Sequence, residues 1–459
     1  MSHPWQEHSL SLAPQRSGFG TPNVSIPAFR YLLADKPKVQ FATETVDLDL
    51  MSGKIGAAAE KLVGRRHGTL QFSMPLEGFK SGYDPTAEDP GDAGVVPYWF
   101  AILANVLGSH VGIGFATDDE FWNGKHLSCS EYQAGKLTSA TSTTLTVDDD
   151  PSALKIKVGQ FVAAALAANT GEVEVGFVKQ KAMDVLTLFD AAGKTVNDGA
   201  ANLYGSANAW ISDELPDQIP LTAHWVGERV EAGYVLSDLV CTGFKLSWNA
   251  GEVPNIEFSF NFYDYQADKT LGGLVVPTAF ARIPQIVGAN NGRAMLGQYT
   301  GSPAAFGTAL QCGLESCSIE YKVEIAEVKC HAAQQGIAAV SYRKPRVTVQ
   351  VSVPWSSTDE IRNAAGTPGD SGSHKWQSMF ELGQPVSIGV YVGSRIGRLF
   401  GFLVPAGRIT AVPQVVDLNG QVGYQLTVEA GAYTGDTSDQ LTETPIVCPI
   451  DSLFRAALS

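Results

Sequence analysis

Residues 318–325 read SIEYKVEI and residues 347–353 read VTVQVSV. In both stretches apolar and polar side chains alternate, the period-two pattern of a strand that buries one face. Ile319, Tyr321, Val323 and Ile325 share one side, and Val347, Val349, Val351 and Val353 do the same in the second stretch. Between them, residues 326–345 (AEVKCHAAQQGIAAVSYRKP) are rich in small side chains and end in a basic cluster. The same order occurs earlier in the chain. Residues 46–50 (VDLDL) alternate, residues 51–68 (MSGKIGAAAEKLVGRRHG) form a small-residue loop ending in basic residues, and residues 69–76 (TLQFSMPL) alternate again. A recurrence of this kind predicts a duplicated β domain.

The parallel continues outward. Stretches rich in Gly, Asp, Pro and Ser (78–94 and 356–373) precede helical patterns at 97–107 (PYWFAILANVL) and 374–382 (HKWQSMFEL). Pro97 suits a helix start, and Gly108 and Gly383 suit helix stops. The next strand, 386–392 (VSIGVYV), follows almost at once in the second copy, whereas its counterpart 221–226 (LTAHWV) arrives only after an insertion at 108–219. Within the insertion, residues 137–189 carry short strands at 145, 154, 161, 173 and 184, spaced as in a small β-barrel or sandwich. Each copy closes on an alternating strand, 255–262 (NIEFSFNF) or 422–428 (VGYQLTV). The expected organisation is an arm (1–40), a first domain (41–270), a linker (271–300), a second domain (301–440) and a second arm (441–459). The fold class is mainly β: two tandem β-sandwich or barrel domains, each flanked by an α-helix, with a small inserted β-barrel-like module. Trp99, Trp225, Trp248 and Trp376 fall on periodic elements and are expected as core or interface anchors.

At 459 residues and 44% apolar, the chain can build several cores, while 47 Gly and 24 Pro argue against a helical bundle. A formal charge of −15 opposes nonspecific attraction to nucleic acid or to an anionic membrane. No run of about 20 apolar residues occurs, and the start MSHPW lacks a basic-then-apolar leader, so a soluble protein made in the cytoplasm is expected. The six cysteines are too sparse for a disulfide framework. Cys312, Cys317, Cys330 and His331 are spaced poorly for zinc, and Cys317 shares the core parity of Ile319. No metal or cofactor is expected.

Catalytic signatures fare no better. Residues 369–372 (GDSG) resemble a serine-protease nucleophile loop, but Ser373 follows where Gly is needed and no His sits in a protease-like context upstream. Asp148, Asp149 and Asp150 precede Pro151 as a solvated turn would, without the distributed oxygen ligands that calcium needs. Asp118, Asp119 and Glu120 have the same surface explanation. Gly18, Phe19 and Gly20 lie in an arm, without the strand and helix of a phosphate loop. No catalytic residue is assigned.

The order strand, basic loop, strand, helix and terminal hairpin resembles the tail-tube proteins of long-tailed bacteriophages. Residues 64–78 (GRRHGTLQFSMPLEG) and 241–265 (CTGFKLSWNAGEVPNIEFSFNFYDY) carry the resemblance in the first copy. GLESCSIEYKVEI, RVTVQVSVP and LNGQVGYQLTVEAGAY carry it in the second, which lacks the acidic-Pro turn of Glu252 to Pro254. The resemblance implies domains that form rings, six domains to a ring, whose inner strands join into one barrel; rings then stack into a tube through which DNA leaves the virion. With two domains per chain it implies a trimeric, pseudo-hexameric ring in the virion tail. The partners it implies are further copies of the chain, a tape-measure protein, and tail-terminator or distal-tail proteins. Double-stranded DNA would pass without specific binding, and no membrane is involved.

The long loops are implied to reach the next ring. Lys54, Lys61, Arg65 and Arg66 in the first copy, with Lys329, Arg343, Lys344 and Arg346 in the second, are therefore expected to meet acids of a neighbouring ring. Asp47, Asp49, Glu257, Glu320 and Glu324 lie on the polar parity of predicted inner strands and are candidates for an acidic lumen, although Lys245 and Lys322 dilute the pattern. Geometry supports the strand number independently: tilted strands each occupy roughly 6 Å of circumference, so a barrel about 45 Å across needs about 24. The alternatives are a related ring or adaptor at the distal end or neck of the tail and, in a different class, a carbohydrate-binding β protein.

Overall fold

A computed structural model describes residues 9–32, 34–48, 60–77, 97–108, 115–122, 128–129, 137–140, 144–147, 161–165, 173–182, 185–188, 203–205, 207–208, 218–226, 233–249, 251–267, 293–298, 309–310, 315–330, 336–354, 380–392, 400–418 and 420–431. The chain opens with β1 (Ser9–Pro14), β2 (Arg30–Tyr31), β3 (Asp35–Leu48) and β4 (Glu60–Pro75), then the helices α1 (Tyr98–Val106) and α2 (Asp118–Trp122). The insertion holds β5 (Ser128–Cys129), β6 (Leu137–Ala140), β7 (Thr144–Val147), β8 (Phe161–Ala165), β9 (Val173–Ala182), β10 (Val185–Leu188), β11 (Leu203–Gly205) and β12 (Ala207–Asn208). The first repeat resumes with β13 (Leu221–Val226), β14 (Tyr234–Asn249), β15 (Asn255–Phe262) and β16 (Asp264–Ala267). The second comprises β17 (Arg293–Gln298), β18 (Ala309–Leu310), β19 (Ser316–Lys329), β20 (Ile337–Pro354), β21 (Pro385–Val392), β22 (Phe400–Ile409), β23 (Gln414–Leu418) and β24 (Gln421–Ala430).

The protein is mainly β, and its pairing shows the duplication directly. In the first repeat β3 pairs β4, β4 pairs β15, and β15 pairs the second half of β14. In the second, β19 pairs β20, β20 pairs β24, and β24 pairs β22 and β23. The order is the same. β4 and β20 even share side chains along this path: Thr69, Gln71, Ser73 and Pro75 match Thr348, Gln350, Ser352 and Pro354. The two four-strand units meet where β14 pairs β19, Lys245 opposite Glu320 and Leu246 opposite Ile319. One sheet therefore crosses both repeats without a break.

Each repeat starts earlier than its periodicity suggests. Ser9–Pro14, in the stretch expected as an arm, pairs β13, and Arg293–Gln298, in the stretch expected as a linker, pairs the equivalent β21. Both six-residue strands are too short to show a period. The stretches expected as long loops are largely hairpin arms: β3 and β4 stay paired out to Leu48 and Glu60, and β19 and β20 out to Lys329 and Ile337. Lys, Arg and Gly interrupt the alternation there without ending the ladder, and Ile337 and Tyr342 of the second hairpin are still buried. The equivalent of SIEYKVEI is correspondingly upstream of residues 46–50, since Gln40 faces Thr69 as Glu320 faces Thr348.

Apolar rows cross the joint. Phe72, Phe258, Phe244, Tyr321 and Val347 are cross-strand neighbours in sequence along the sheet, and all are buried. Against this face packs α1, set off by Pro97 at its N-cap, with Trp99, Phe100, Ile102, Leu103 and Val106 buried. The helix expected at 374–382 lies outside the described residues apart from 380–382. Trp248 meets Phe400 edge-on at 5.3 Å, linking β14 of the first repeat to β22 of the second.

β14 serves two sheets and must bend. Its first half pairs β13 and β16, its second half β15 and β19. The change falls at Asp238, whose φ is +56°. Gln15 Nε2 and the Gly20 N–H donate to Asp238 Oδ1 at 3.2 and 2.6 Å, and the Asp238 N–H donates to Gln15 Oε1 at 2.9 Å. Such side-chain partners stand in for the ladder bonds that the bend removes.

In the insertion, a six-stranded sheet runs β11, β8, β9, β10, β7, β6, and β5 pairs β12 at the module's base. The module thus extends past residue 189 to β11, while the stretch at 154–159 lies outside the described residues.

Candidate assembly surface

The polar face of the continuous sheet is built by the same alternation that buries the other face. One cross-strand row reads Ser73, Glu257, Lys245, Glu320, Thr348, Glu429 and Arg408. Glu257 and Glu320, two of the expected lumen acids, thus lie on one face, each directly opposite Lys245. Lys322 Nζ meets Glu320 at 2.7 Å and Arg346 Nε meets Glu429 at 3.2 Å. The row carries three acids and two bases, so this face is hydrophilic and of mixed charge, with Lys245 and Lys322 among the acids as the sequence indicates. A cross-strand charge pair is favourable in a sheet and like charges opposite one another are not, which suits Lys245 between Glu257 and Glu320, and Arg408 beside Glu429.

The β3–β4 and β19–β20 ladders continue past this row as two basic-rich hairpins. Arg65 sits in a bulge of β4, where Arg66 faces Thr43 and Val63 faces Thr45. A bulge turns a side chain out of the alternating pattern. Arg65 accordingly reaches across to β19, donating from Nη1 to Glu327 Oε2 at 2.9 Å and from Nη2 to Glu327 Oε1 at 2.7 Å. Its guanidinium also lies 5.0 Å from the centre of the Tyr263 ring. Burial disfavours the Arg65 charge, but the hydrogen bond and charge of Glu327 outweigh it, leaving the pKa raised; the same bond from Arg65 holds Glu327 below the usual carboxylate range against its own burial. The side chain of Arg65 is only 12% exposed. Expected to reach a neighbouring ring, it instead ties the first repeat's hairpin to the second's. A cleft of about 290 Å³ lies beside this clamp, lined by Phe41, Arg65, His67, Tyr263 and Glu327 among others.

The other basic candidates distribute as follows. Arg66 stacks 5.9 Å from the Tyr265 ring and donates to the Tyr265 carbonyl at 3.4 Å. Arg346 lies on the polar face with Glu429, away from the hairpin tip. Lys344 adopts a φ of +48° in the β20 bulge and reaches Glu324 at 3.5 Å. Lys329 ends β19, and Arg343, opposite Glu324, is exposed. Lys61 faces Asp47 in the β3 and β4 register. Lys54 and Asp49 lie outside the described residues. Glu324 is on the hairpin with Lys344, not on the central row.

Two edges of the continuous run are unpaired among the described residues: β3, which pairs only β4, at one end and β23, which pairs only β24, at the other, while β22 lies between β21 and β24. Both expose apolar side chains that periodicity did not single out. Phe41 is 40% exposed although it touches Tyr265 and Tyr234 at 4.8 and 5.0 Å, and Val415 is 64% exposed. Tyr321, which holds the position of Phe41 in the second repeat, is fully buried because Phe244 of β14 stacks on it at 5.3 Å. The signal for these edges lies in comparing the two repeats position by position, once the register is known.

Sites weighed for chemistry are otherwise employed. Asp118 binds Arg16 at 2.6 Å and Asp119 binds Arg30, fastening α2 to the N-terminal segment. Gly20 serves the Asp238 bend. Cys317 is buried in the core, as its parity predicts, and no group of three or more metal-ligating side chains occurs among the described residues. The GDSG stretch, Asp148 to Asp150, Cys312, His331 and Trp376 lie outside the described residues. No helix among the described residues is long and apolar enough to cross a membrane. No protein-family model matches the chain, and no curated protein sequence matches it.

Proposed function

We propose that the protein is a structural building block of a ring, most concretely a tail-tube subunit of a long-tailed bacteriophage virion. The observation that carries this reading is the joint between β14 and β19: the last inner strand of one repeat pairs the first inner strand of the next, in a chain whose two ends repeat those same two strands unpaired. A heterologous, head-to-tail contact that reuses this geometry closes into a ring when its rotation divides a full turn. Each chain supplies an eight-strand inner run, so three chains supply about 24 strands, the number that a duplex-wide barrel needs.

Closure also removes both free edges, which otherwise template aggregation. The hydrophilic face would line the lumen. Its mixed charges keep it hydrated without the uniformly positive field that would hold phosphates in place. The protein acts in this account by assembly, not catalysis, with further copies of itself, a tape-measure protein and terminal tail proteins as partners. Electron microscopy of the concentrated, purified chain tests the proposal: hollow rings or stacked tubes with a sixfold outline support it. Particles that remain globular monomers at every concentration overturn it.

A further inference from the structure

Resting on the ring-building reading, we infer that a second copy of the chain docks on the free β23 edge through its own β3, and that the register of this joint is the one β14 and β19 already display. The internal joint places Lys245 opposite Glu320, Leu246 opposite Ile319 and Ser247 opposite Ser318. Each of those positions has a counterpart. Glu320 faces Thr348 and Gln40 faces the matching Thr69, so Val39 and Lys38 correspond to Ile319 and Ser318. On the other side, Lys245 faces Glu257 and Gln414 faces Gln425. Glu257 and Gln425 lie on equivalent strands, each four positions before the residue opposite the matching threonine, Asn261 opposite Thr69 and Glu429 opposite Thr348. Hence Gln414, Val415 and Val416 correspond to Lys245, Leu246 and Ser247.

The joint therefore sets Gln414 of one chain opposite Gln40 of the next and Val415 opposite Val39. Both glutamines are exposed, as the polar face requires, and Val415 and Val39 fall on the apolar side. The internal equivalents Leu246 and Ile319 are 0% and 2% exposed, so the same pairing would bury the uncovered Val415. Two features bound the match. Residues 411–413 form a wider bulge than the one at Thr242, because Ile409 faces Val428 but Gln414 faces Gln425. Pro37 offers no N–H, which ends the useful edge beyond Lys38.

The clamp repeats as well. Lys344 is the bulge residue of β20 as Arg65 is of β4, and Asp47 holds in β3 the register position that Glu327 holds in β19. A Lys344 to Asp47 contact between chains would then be the counterpart, at the joint between chains, of the internal Arg65 to Glu327 clamp.

The test is site-directed crosslinking in the full chain. Opposed positions in an antiparallel pair lie within disulfide reach, whereas positions two residues out of register do not. Gln414→Cys combined with Gln40→Cys should give covalent dimers and trimers on mild oxidation, at least tenfold above either single variant and above the displaced pair Gln414→Cys with Ala42→Cys. Equal or better crosslinking of the displaced pair overturns the register, as does no crosslinking of the matched pair in particles that microscopy shows to be rings; in both cases the ring reading stands. A second variant guards against folding artefacts: Lys344→Asp should reduce assembly at least several-fold, and adding Asp47→Lys should restore it. Unchanged assembly of Lys344→Asp removes the clamp from the proposal. Absence of rings from the unaltered chain removes the function itself.

Discussion

Arg65 grips Glu327 through both ends of its guanidinium, at 2.7 and 2.9 Å, across 262 positions of sequence and between the hairpins of two repeats. Bidentate arginine pairs fix orientation as well as contributing energy. This one sets the two hairpins side by side, and it responds to acid in a definite direction.

Glu327 has a folded-state pKa below its ordinary value of 4.5, chiefly through the Arg65 hydrogen bond. Its stabilisation is therefore fully present above that ordinary value and is lost as pH falls through the folded-state value. Thermal melts of the chain between about pH 3 and 7 should show a fall at the acid end, and Glu327→Gln should melt lower at neutral pH with a shallower acid dependence. Parallel curves for the two proteins would separate the clamp from stability.

At Gly243 a side chain would have to share space with the neighbouring strand. A Cβ there would stand 2.4 Å from the Tyr321 carbonyl oxygen, a backbone atom that cannot step aside. Gly243→Val should destabilise the protein by about 2–4 kcal/mol in urea unfolding, since the internal joint must open to accept it.

Asp238 makes a sharper comparison, because its conformation and its charge can be varied separately. Burial raises its carboxyl pKa in spite of the Gly20 and Gln15 hydrogen bonds. Asp238→Asn keeps an acceptor and tolerates positive φ, and should change stability by less than about 1 kcal/mol. Asp238→Val loses the hydrogen bonds and strains a branched side chain, and should cost about 3 kcal/mol. The same urea titration distinguishes them.

The inserted module is joined at its base by the β5 and β12 pair, so residues 130–206 can be replaced by a short Gly-Ser turn without cutting the inner sheet. Rings should still form, with a narrower outer outline under the microscope. Failure of ring formation in a folded variant would make the module part of the wall.

Much of this architecture is legible in the sequence. The alternation of residues 255–262 and 318–325 places Phe258, Phe260, Ile319 and Tyr321 in the core, and each is buried. Pro97 and the following apolar run mark α1 to within a residue. What escapes is of two kinds. Strands of six residues such as Ser9–Pro14 and Arg293–Gln298 are recognised only by their partners, so they read as arm and linker. Side chains at bulges obey no period: Arg65 shares a cluster with Arg66 and His67 in sequence, yet it makes the bidentate pair with Glu327. The free edges were illegible for a related reason, since Phe41 and Val415 look like ordinary strand residues until their buried counterparts Tyr321 and Leu246 are beside them.

The central claim, that chains join end to end as repeats join within a chain, is tested most directly by the mass of an isolated assembled ring. A particle of three chains, with no stable ring of two or four, is the result this account predicts. Rings of six chains, or open filaments that never close, would contradict it, because the eight-strand run would then be the wrong unit of closure.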